Sequence, residues 1–272
     1  MTIAELVSAI QDKQSFLCVG LDTDIEKLPP HLPKTIDGVL IFNKAIIDAT
    51  KEYCVSYKIN TAFYEAMGWQ GWKLLEDTLN YIPSNCYTIA DAKRGDIGNT
   101  ATQYANAFFK TMHFDSVTVA PYMGEDSVKP FLQYPDKAAI VLGLTSNAGS
   151  ADFQQLLLAD NKKTVYETVL AKVASWGNEN NTLFVIGATK ASLLTNIRSI
   201  IPNHFLLVPG VGAQGGSLED VYRFGVNKRI GLLVNVSRDI IYAGTGEDFA
   251  FKAKEKAAFY QKAMATLMQH DV

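Results

Sequence analysis

Residues 86–100, Cys-Tyr-Thr-Ile-Ala-Asp-Ala-Lys-Arg-Gly-Asp-Ile-Gly-Asn-Thr, decide the fold, because they join a strand, a turn and the start of a helix. The apolar residues at the beginning of this stretch favour a buried β-strand. Side chains alternate along a strand, so Asp91 and Lys93 should project the same way at its end. Gly95 then permits a sharp turn that carries Asp96 beyond the strand. The stretch predicts a βα unit with two carboxylates and an ammonium crowded where the strand stops.

The same alternation of strand and helix repeats along the chain. Strands are predicted at 16–22, 55–60, 86–93, 116–121, 138–144, 182–188, 205–210 and 231–237. Helices are predicted at 38–51, 63–81, 97–112, 126–133, 164–176, 190–201, 218–224 and 248–268, with a short added helix at 152–158. The strands are continuous apolar runs, as expected where helices cover both faces of a sheet. The pattern predicts an α/β fold, a single (β/α)8 TIM barrel over residues 1–272, with a doubly wound open sheet as the alternative.

Composition narrows the class of protein. The chain has 272 residues, 48% of them hydrophobic, and a formal net charge of −3, which argues against non-specific binding to nucleic acid. Its N-terminus has the pattern of an amphipathic helix rather than a signal peptide, and no apolar run is long enough to span a bilayer. The three cysteines lack CxxC spacing, so we expect reduced core thiols. These features predict a cytoplasmic protein without a membrane or nucleic-acid partner.

Polar residues of both charge signs follow the predicted strands, at the end where barrel enzymes carry their chemistry. A single one has an ordinary explanation: Lys58 could be a solvated strand end, and Asp22 a turn former. The charges after strand three could likewise form a structural ion pair at the rim of a barrel. Their convergence instead predicts a pocket that holds both signs of charge. The residues are Asp22, Lys58, Asp91, Lys93, Thr145, Ser146, Gln214 and Arg238.

A glycine-rich segment, residues 208–217, follows strand seven. Ser217 and Asp220 have the spacing of a capping box, so a helix should begin there. Backbone N–H groups at such a helix start can hold a phosphate, and Arg238 can add a charge-assisted contact. A merely flexible glycine loop is the alternative. Phosphate sites after strands seven and eight recur in (β/α)8 barrels, which favours an anion site.

Metal and hydrolase chemistry have little support in the sequence. The histidines have no HxH or HExxH spacing, and none follows a predicted strand. Ser146 has no histidine partner among the strand-end residues, which disfavours a Ser-His-Asp hydrolase. No P-loop or dinucleotide-binding fingerprint is present. We therefore expect no metal site. The histidines are His31, His113, His204 and His270.

Together these residues resemble the orotidine 5′-phosphate decarboxylase family. The resemblance runs from residues 17–22 to residues 235–238. The family signature Asp-x-Lys-x-x-Asp is met by Asp91, Lys93 and Asp96, with Ile97 and Thr100 following. Residues 208–216 match the phosphate-gripping loop of the family. The length and the segment after strand five resemble the longer bacterial branch, and Ser237 stands where many members have glycine.

The resemblance implies a cofactor-free decarboxylation of orotidine 5′-monophosphate to UMP and CO₂ in de novo pyrimidine biosynthesis. The catalytic residues would be an alternating charge array of Lys58, Asp91, Lys93 and Asp96. Lys93 would protonate C6 of the pyrimidine as CO₂ leaves. Asp91 would crowd the substrate carboxylate and help to hold both lysines, while Lys58 would orient Asp91.

The resemblance also implies the substrate contacts and a homodimer. Asp22 and Lys58 would contact the ribose, and Ser146 the pyrimidine, with Thr145 as the alternative at that position. Gln214 and Arg238 would bind the phosphate, with Gly215 in the gripping loop. Family members are homodimers in which the residues matching Asp96, Ile97 and Thr100 enter the neighbouring site.

Two other functions remain open. Relatives on the same scaffold use a similar Asp-x-Lys-x-x-Asp with Mg²⁺ as sugar-phosphate lyases or decarboxylases. In those relatives a carboxylate at the end of strand two helps to bind the metal, whereas here that position matches Lys58, which would repel a divalent cation. The second alternative is an inactive barrel that only binds a nucleotide.

Overall fold

The eight strands form a closed barrel in chain order, and each pair whose register is described is parallel. The computed structural model describes residues 1–160, 162–212 and 215–269. The strands are β1 (Leu17–Gly20), β2 (Ser56–Asn60), β3 (Tyr87–Arg94), β4 (Ser116–Val119), β5 (Ala138–Leu144), β6 (Thr182–Ile186), β7 (Leu206–Pro209) and β8 (Leu232–Val236). The predicted (β/α)8 fold is confirmed, and all eight strands lie where they were predicted, with shifts of at most two residues at their ends.

The helices are α1 (Ile3–Lys13), α2 (Ile36–Thr50), α3 (Thr61–Glu65), α4 (Gly68–Tyr81), α5 (Gly98–Asn106), α6 (Glu125–Leu132), α7 (Ser150–Phe153), α8 (Val165–Trp176), α9 (Leu194–Ile200), α10 (Leu218–Gly225), α11 (Arg238–Ile241) and α12 (Phe249–Gln269). Single 3₁₀ segments lie at Ile25–Lys27 and Ala188–Leu193, and α5 continues into a π-helical turn, Ala107–Thr111.

Two helix predictions were wrong in detail, and one short helix was not predicted. The helix predicted at 63–81 is two helices, because Met67 is not helical and Gly68 takes a φ of +68°. The helix expected at 152–158 is the single turn α7. The short helix α11, directly after β8, was not predicted, and Arg238, predicted to follow strand eight, is its first residue.

Burial explains why the strands are continuous apolar runs. Every residue of β1, β4, β6 and β8 is buried, as is typical of strands covered on both faces. The three cysteines are free and buried, as expected. None of the helices within the described residues is long and apolar enough to cross a membrane.

The contacts of the chain fall into two compact units. The first holds Ile3–Ala92 and the chain from Asn235 onward, and the second holds Lys93–Val234. The assignment of 1–272 to a single domain stays a prediction. Of the predicted site residues, the first unit holds Asp22, Lys58, Asp91 and Arg238, and the second holds Lys93, Asp96, Ile97, Thr100, Ser146 and Gly215.

Candidate active site

Three charged side chains meet at the ends of the first three strands. Asp22 follows β1, Lys58 lies within β2, and Asp91 lies in β3, where the strand register pairs Gly20 with Lys58 and Asn60 with Asp91. The Lys58 ammonium donates to Asp91 Oδ2 at 2.9 Å and to Asp22 Oδ1 at 3.2 Å. The Lys58 side chain is only 5% exposed, and the two carboxylate side chains are 12% and 18% exposed. The structure therefore brings together three of the residues predicted from the sequence.

The electrostatics of this cluster keep Lys58 charged. Burial alone would lower the pKa of the Lys58 ammonium, but the charges of Asp22 and Asp91 outweigh it and raise that pKa above its usual value. Losing one partner from such a buried pair typically costs about 3–5 kcal/mol, because the remaining charge is left uncompensated. Nearby, burial raises the pKa of the Cys18 thiol to about 12, so this cysteine is protonated and cannot act as a thiolate.

The loop that carries Asp22 is held by buried hydrogen bonds. The Leu21 N–H donates to the backbone oxygen of Lys58 at 2.8 Å, and the Tyr64 hydroxyl donates to the Leu21 carbonyl at 3.2 Å. The Thr23 hydroxyl donates to Asn43 Oδ1 at 2.6 Å. Because both neighbours of Asp22 are fixed in this way, the carboxylate has a defined position before any ligand binds.

Sequence reasoning missed Asn43, although a signal was present. Asn43 is fully buried on α2 and also donates to the hydroxyls of Tyr64 and Thr78. A buried polar group needs hydrogen-bond partners, so an asparagine on an apolar helix face marks a buried network. The apolar residues on that face of α2 are Val39, Phe42, Ile46 and Ile47.

Lys93 and Asp96, the signature residues that belong to the second unit, depart from regular strand geometry. Lys93 takes a φ of +47° and Asp96 a φ of +90°, whereas the turn was expected at Gly95, for which no positive φ is recorded. The expectation that Lys93 simply continues the alternation of β3 was therefore too simple. Two hydrogen bonds to side chains hold the backbone of this turn. The Lys93 N–H donates to Thr118 Oγ1, and the Ile97 N–H donates to Asp96 Oδ1, each at 2.8 Å. Non-glycine residues in this region of φ are uncommon and concentrate at functional sites.

Ile97 and Thr100 lie at the start of α5, after this strained turn. Ile97 is 51% exposed, and Thr100 is exposed as well. Two further apolar side chains of the same unit, Tyr122 and Met123, are 93% and 52% exposed.

Thr145 and Ser146, the two candidates for the pyrimidine contact, directly follow β5. Thr145 donates its N–H to Gln154 Oε1 at 2.8 Å and its hydroxyl to Asn147 Oδ1 at 2.6 Å, so its polar groups are occupied by its own loop. The Ser146 backbone passes so close to Gly187 that a Cβ there would lie 2.6 Å from the Ser146 nitrogen. Gln154, which follows α7, is half-buried, and sequence reasoning missed it because a glutamine within the helix predicted at 152–158 gives no distinct pattern.

The glycine-rich loop folds back on itself. Gly215 N–H donates to the Gly212 carbonyl at 2.8 Å, and Gly216 N–H donates to the Gly210 carbonyl at 3.1 Å. Gly215 has a φ of +82°, which a side chain would strain. The helix α10 begins after this loop as predicted, where the Ser217 hydroxyl accepts from the Asp220 N–H at 3.1 Å. Gln214, predicted to bind phosphate, lies outside the described residues.

Arg238 opens α11 in the first unit and is exposed. Within the part of the chain that the structure describes, its guanidinium makes no salt bridge. Ser237, which precedes it, lies beside Gly20, and its hydroxyl accepts from the Asn235 amide at 3.3 Å. Residues 1–160, 162–212 and 215–269 hold no group of three or more His, Cys, Asp or Glu side chains placed to bind a metal ion.

Comparison with known proteins assigns a family. The family model described as "Orotidine 5′-phosphate decarboxylase / HUMPS family" matches residues 15–251. Orotidine 5′-phosphate decarboxylase from Christiangramia forsetii is 56% identical over 272 residues, which is 99% of each chain.

Solved structures agree with this assignment. OMP decarboxylase from Leishmania donovani has a TM-score of 0.81 and 36% identity, and the match covers 98% of this chain and 100% of that one. UMP synthase from the same organism has a TM-score of 0.83 and 38% identity, and the match covers 97% of this chain but 57% of that one.

Proposed function

This chain belongs to the orotidine 5′-phosphate decarboxylase / HUMPS family, and on that premise we propose how it removes the carboxylate of orotidine 5′-monophosphate. The chain is a carboxy-lyase, and its reaction yields UMP and CO₂, which places it in pyrimidine biosynthesis. The mechanism proposed here uses side chains alone, with no cofactor. The observation that carries it is the buried Lys58 ammonium, held between the carboxylates of Asp22 and Asp91.

In the chemical step the bond between C6 and the carboxylate carbon breaks, and its electron pair remains on C6. Lys93 transfers a proton from its ammonium to C6, CO₂ leaves, and solvent returns a proton to the amine. Enzymes typically lower such barriers by about 8–23 kcal/mol. Two unit charges at ~4 Å interact by only about 4 kcal/mol at an effective dielectric of 20, so repulsion between Asp91 and the substrate carboxylate cannot supply the whole effect. A preorganised ammonium beside the developing carbanion is the larger contribution.

The charge balance around Lys58 supports this role for Lys93. Two carboxylates and one ammonium leave the cluster of Asp22, Lys58 and Asp91 with one net negative charge, which attracts a second cation. In the proposed array Lys93 supplies that cation, and Asp96 completes the alternation of charge. Because Lys58 holds Asp91 at 2.9 Å, the carboxylate does not have to reorganise during the reaction.

Lys58 also bears on the Mg²⁺-dependent alternative. Its ammonium lies between the two carboxylates and within hydrogen-bonding distance of both, where a divalent ion would need to bind them. The ammonium already occupies the position between the two carboxylates, so a divalent ion would have to displace it to bind them. This geometry favours the metal-free reaction over the sugar-phosphate lyases that resemble the chain at β3.

The proposed substrate contacts follow from the resemblance to the family. In this proposal Asp22 and Lys58 bind the ribose, and Ser146 binds the pyrimidine. The phosphate is bound by Arg238, Gln214 and Gly215. Contacts to a phosphate that takes no part in bond breaking still support the reaction, because their binding energy can close loops and exclude water.

The protein acts as a cytoplasmic homodimer in this proposal. Asp96, Ile97 and Thr100 of one protomer enter the site of its partner, which covers the exposed Ile97 side chain. The exposed Tyr122 and Met123 in the same unit supply further apolar surface for such an interface.

Ultraviolet-monitored turnover of orotidine 5′-monophosphate, with and without EDTA, tests the proposal. Equal loss of substrate in both samples is the expected result. Loss of activity in EDTA, restored by Mg²⁺, would move the assignment to the metal-dependent alternative. Binding of UMP by folded protein without any turnover would instead support an inactive nucleotide-binding barrel.

A further inference from the structure

One tyrosine joins the loop that carries Asp22 to the helix that begins with Arg238. The Tyr242 hydroxyl accepts a hydrogen bond from the Asp24 backbone N–H at 2.8 Å. The Tyr242 N–H in turn donates to the Arg238 carbonyl at 3.1 Å, at the end of α11. Tyr242 therefore has its backbone on α11 and its hydroxyl on the loop after β1.

The ring of Tyr242 is held in place by aromatic packing. It stacks on Phe42 with a centroid distance of 5.9 Å and an interplanar angle of 26°, and Phe42 stacks on Phe249 at 5.0 Å. Burial, together with the negative charges of Asp24 and Asp22, raises the pKa of the Tyr242 hydroxyl to about 12. The hydroxyl thus stays neutral at physiological pH, and the stacked ring fixes the direction in which it meets the loop.

The other anchors of this loop come from different elements. Tyr64 of α3 holds Leu21, and Asn43 of α2 holds Thr23. These bonds set the shape of the loop against α2 and α3. Tyr242 adds a bond from the segment after β8, so it sets the position of the loop relative to α11.

We propose that Tyr242 is a positioning residue that fixes the spacing between Asp22 and Arg238. The inference rests on the proposed function, in which Asp22 binds the ribose and Arg238 the phosphate of one substrate. A substrate that contacts both Asp22 and Arg238 binds most tightly when the distance between these two residues is already set in the free protein. Less conformational entropy is then lost when the substrate binds. The Tyr242 ring packs on Phe42, whereas its hydroxyl makes the bond to Asp24 that sets the distance between Asp22 and Arg238. The Tyr242→Phe variant therefore separates the effect of the ring from that of the hydroxyl.

Tyr242→Phe keeps the stacked ring and removes the hydrogen bond to Asp24. We expect kcat/KM for orotidine 5′-monophosphate to fall about three- to tenfold, the effect of one hydrogen bond, and UMP to bind more weakly by a similar factor. Tyr260→Phe is the matched control, because the Tyr260 hydroxyl makes an equally long bond, 2.8 Å, to Asp239 of the same helix. We expect wild-type kinetics in the control and comparable melting temperatures in both variants.

A double-mutant cycle separates positioning from general stability. In an Arg238→Ala background the spacing to α11 no longer matters, so adding Tyr242→Phe should lower kcat/KM less than twofold further, because coupled residues are not additive. Equal losses in both backgrounds, or wild-type kinetics in Tyr242→Phe, would overturn the inference. Wild-type protein that fails to turn over the substrate would contradict the proposed function itself, and with it the premise of this inference.

Discussion

Ser237 occupies the space that Gly20 leaves by having no side chain. A Cβ on Gly20 would collide with the Ser237 hydroxyl and lie 2.8 Å from Ser237 Cβ. Because Gly20 has no side chain, the chain accommodates Ser237 at a position where many members of the family have glycine. Gly20 lies two residues before Asp22 in the sequence, and Ser237 directly precedes Arg238.

Gly20→Ala is therefore expected to destabilise the protein by about 1–3 kcal/mol through overpacking. Ser237→Gly in the same chain removes the colliding side chain and should restore most of that loss. Urea denaturation of the wild type, both single variants and the double variant measures the effect. A double variant no more stable than Gly20→Ala would show that the strain has another source.

Lys58→Met should abolish turnover and lower the free energy of unfolding by about 3–5 kcal/mol, because it leaves the carboxylates of Asp22 and Asp91 without their shared cation. Lys73→Met is the control, since Lys73 also pairs with a carboxylate, Asp77, but is 60% exposed. Exposed pairs contribute little, so we expect the control to retain wild-type activity and stability. Denaturation and steady-state kinetics on both variants check this, and a stable, active Lys58→Met protein would remove Lys58 from the array.

Arg238→Ala should lower kcat/KM for orotidine 5′-monophosphate by about 10- to 100-fold, the effect of losing a charged hydrogen bond to the phosphate. With orotidine, which has no phosphate, the same variant should behave like the wild type. Arg223→Ala on α10 removes an exposed arginine elsewhere and serves as the control. Unchanged kinetics of Arg238→Ala with the phosphorylated substrate would contradict the phosphate assignment.

His204 makes stability depend on pH. Its ring is buried, neither nitrogen has a hydrogen-bond partner within the described part of the chain, and it packs edge-on against Phe184. Burial, aided by the charges of Arg198 and Arg229 against that of Glu179, lowers the pKa of His204 below its usual value. The unfolded chain therefore binds the proton more readily, and stability falls as the pH drops below about 6.5, the unfolded value.

His204→Phe should remove part of the difference in unfolding free energy between pH 7.5 and pH 5.5. His113→Asn, at an exposed position, should leave that difference unchanged. Urea denaturation at both pH values measures it. If His204→Phe shows the same difference in unfolding free energy between the two pH values as the wild type, other groups cause the loss of stability in acid.

The strands could be predicted because each is an apolar run closed by polar or turn residues, and their burial on both faces matches that pattern. Asp22, Lys58 and Asp91 could be predicted to meet because parallel strands in a barrel share one end. The break between α3 and α4 was hidden, since a single glycine within a helical pattern does not by itself end a helix.

Other features had no signal in the sequence. Lys93 combines a positive φ with a hydrogen bond from its N–H to the side chain of Thr118, which lies 25 positions further along the chain. Tyr242 follows a four-residue helix that no periodicity reveals, and its partner Asp24 is 218 positions away. Contacts of this kind arise from tertiary packing and cannot be read from local pattern.

The Lys93→Ala variant tests most directly the proposal that Lys93 gives its proton to C6. We expect no measurable decarboxylation of orotidine 5′-monophosphate, while UMP binding, measured by calorimetry, and the melting temperature remain near those of the wild type. Lys93→Met is a second variant, whose side chain is similar in length to that of lysine but carries no charge. Lys129→Ala, at an exposed position of α6, is the control for the loss of an ammonium group. Near-normal turnover in Lys93→Ala would contradict the claim.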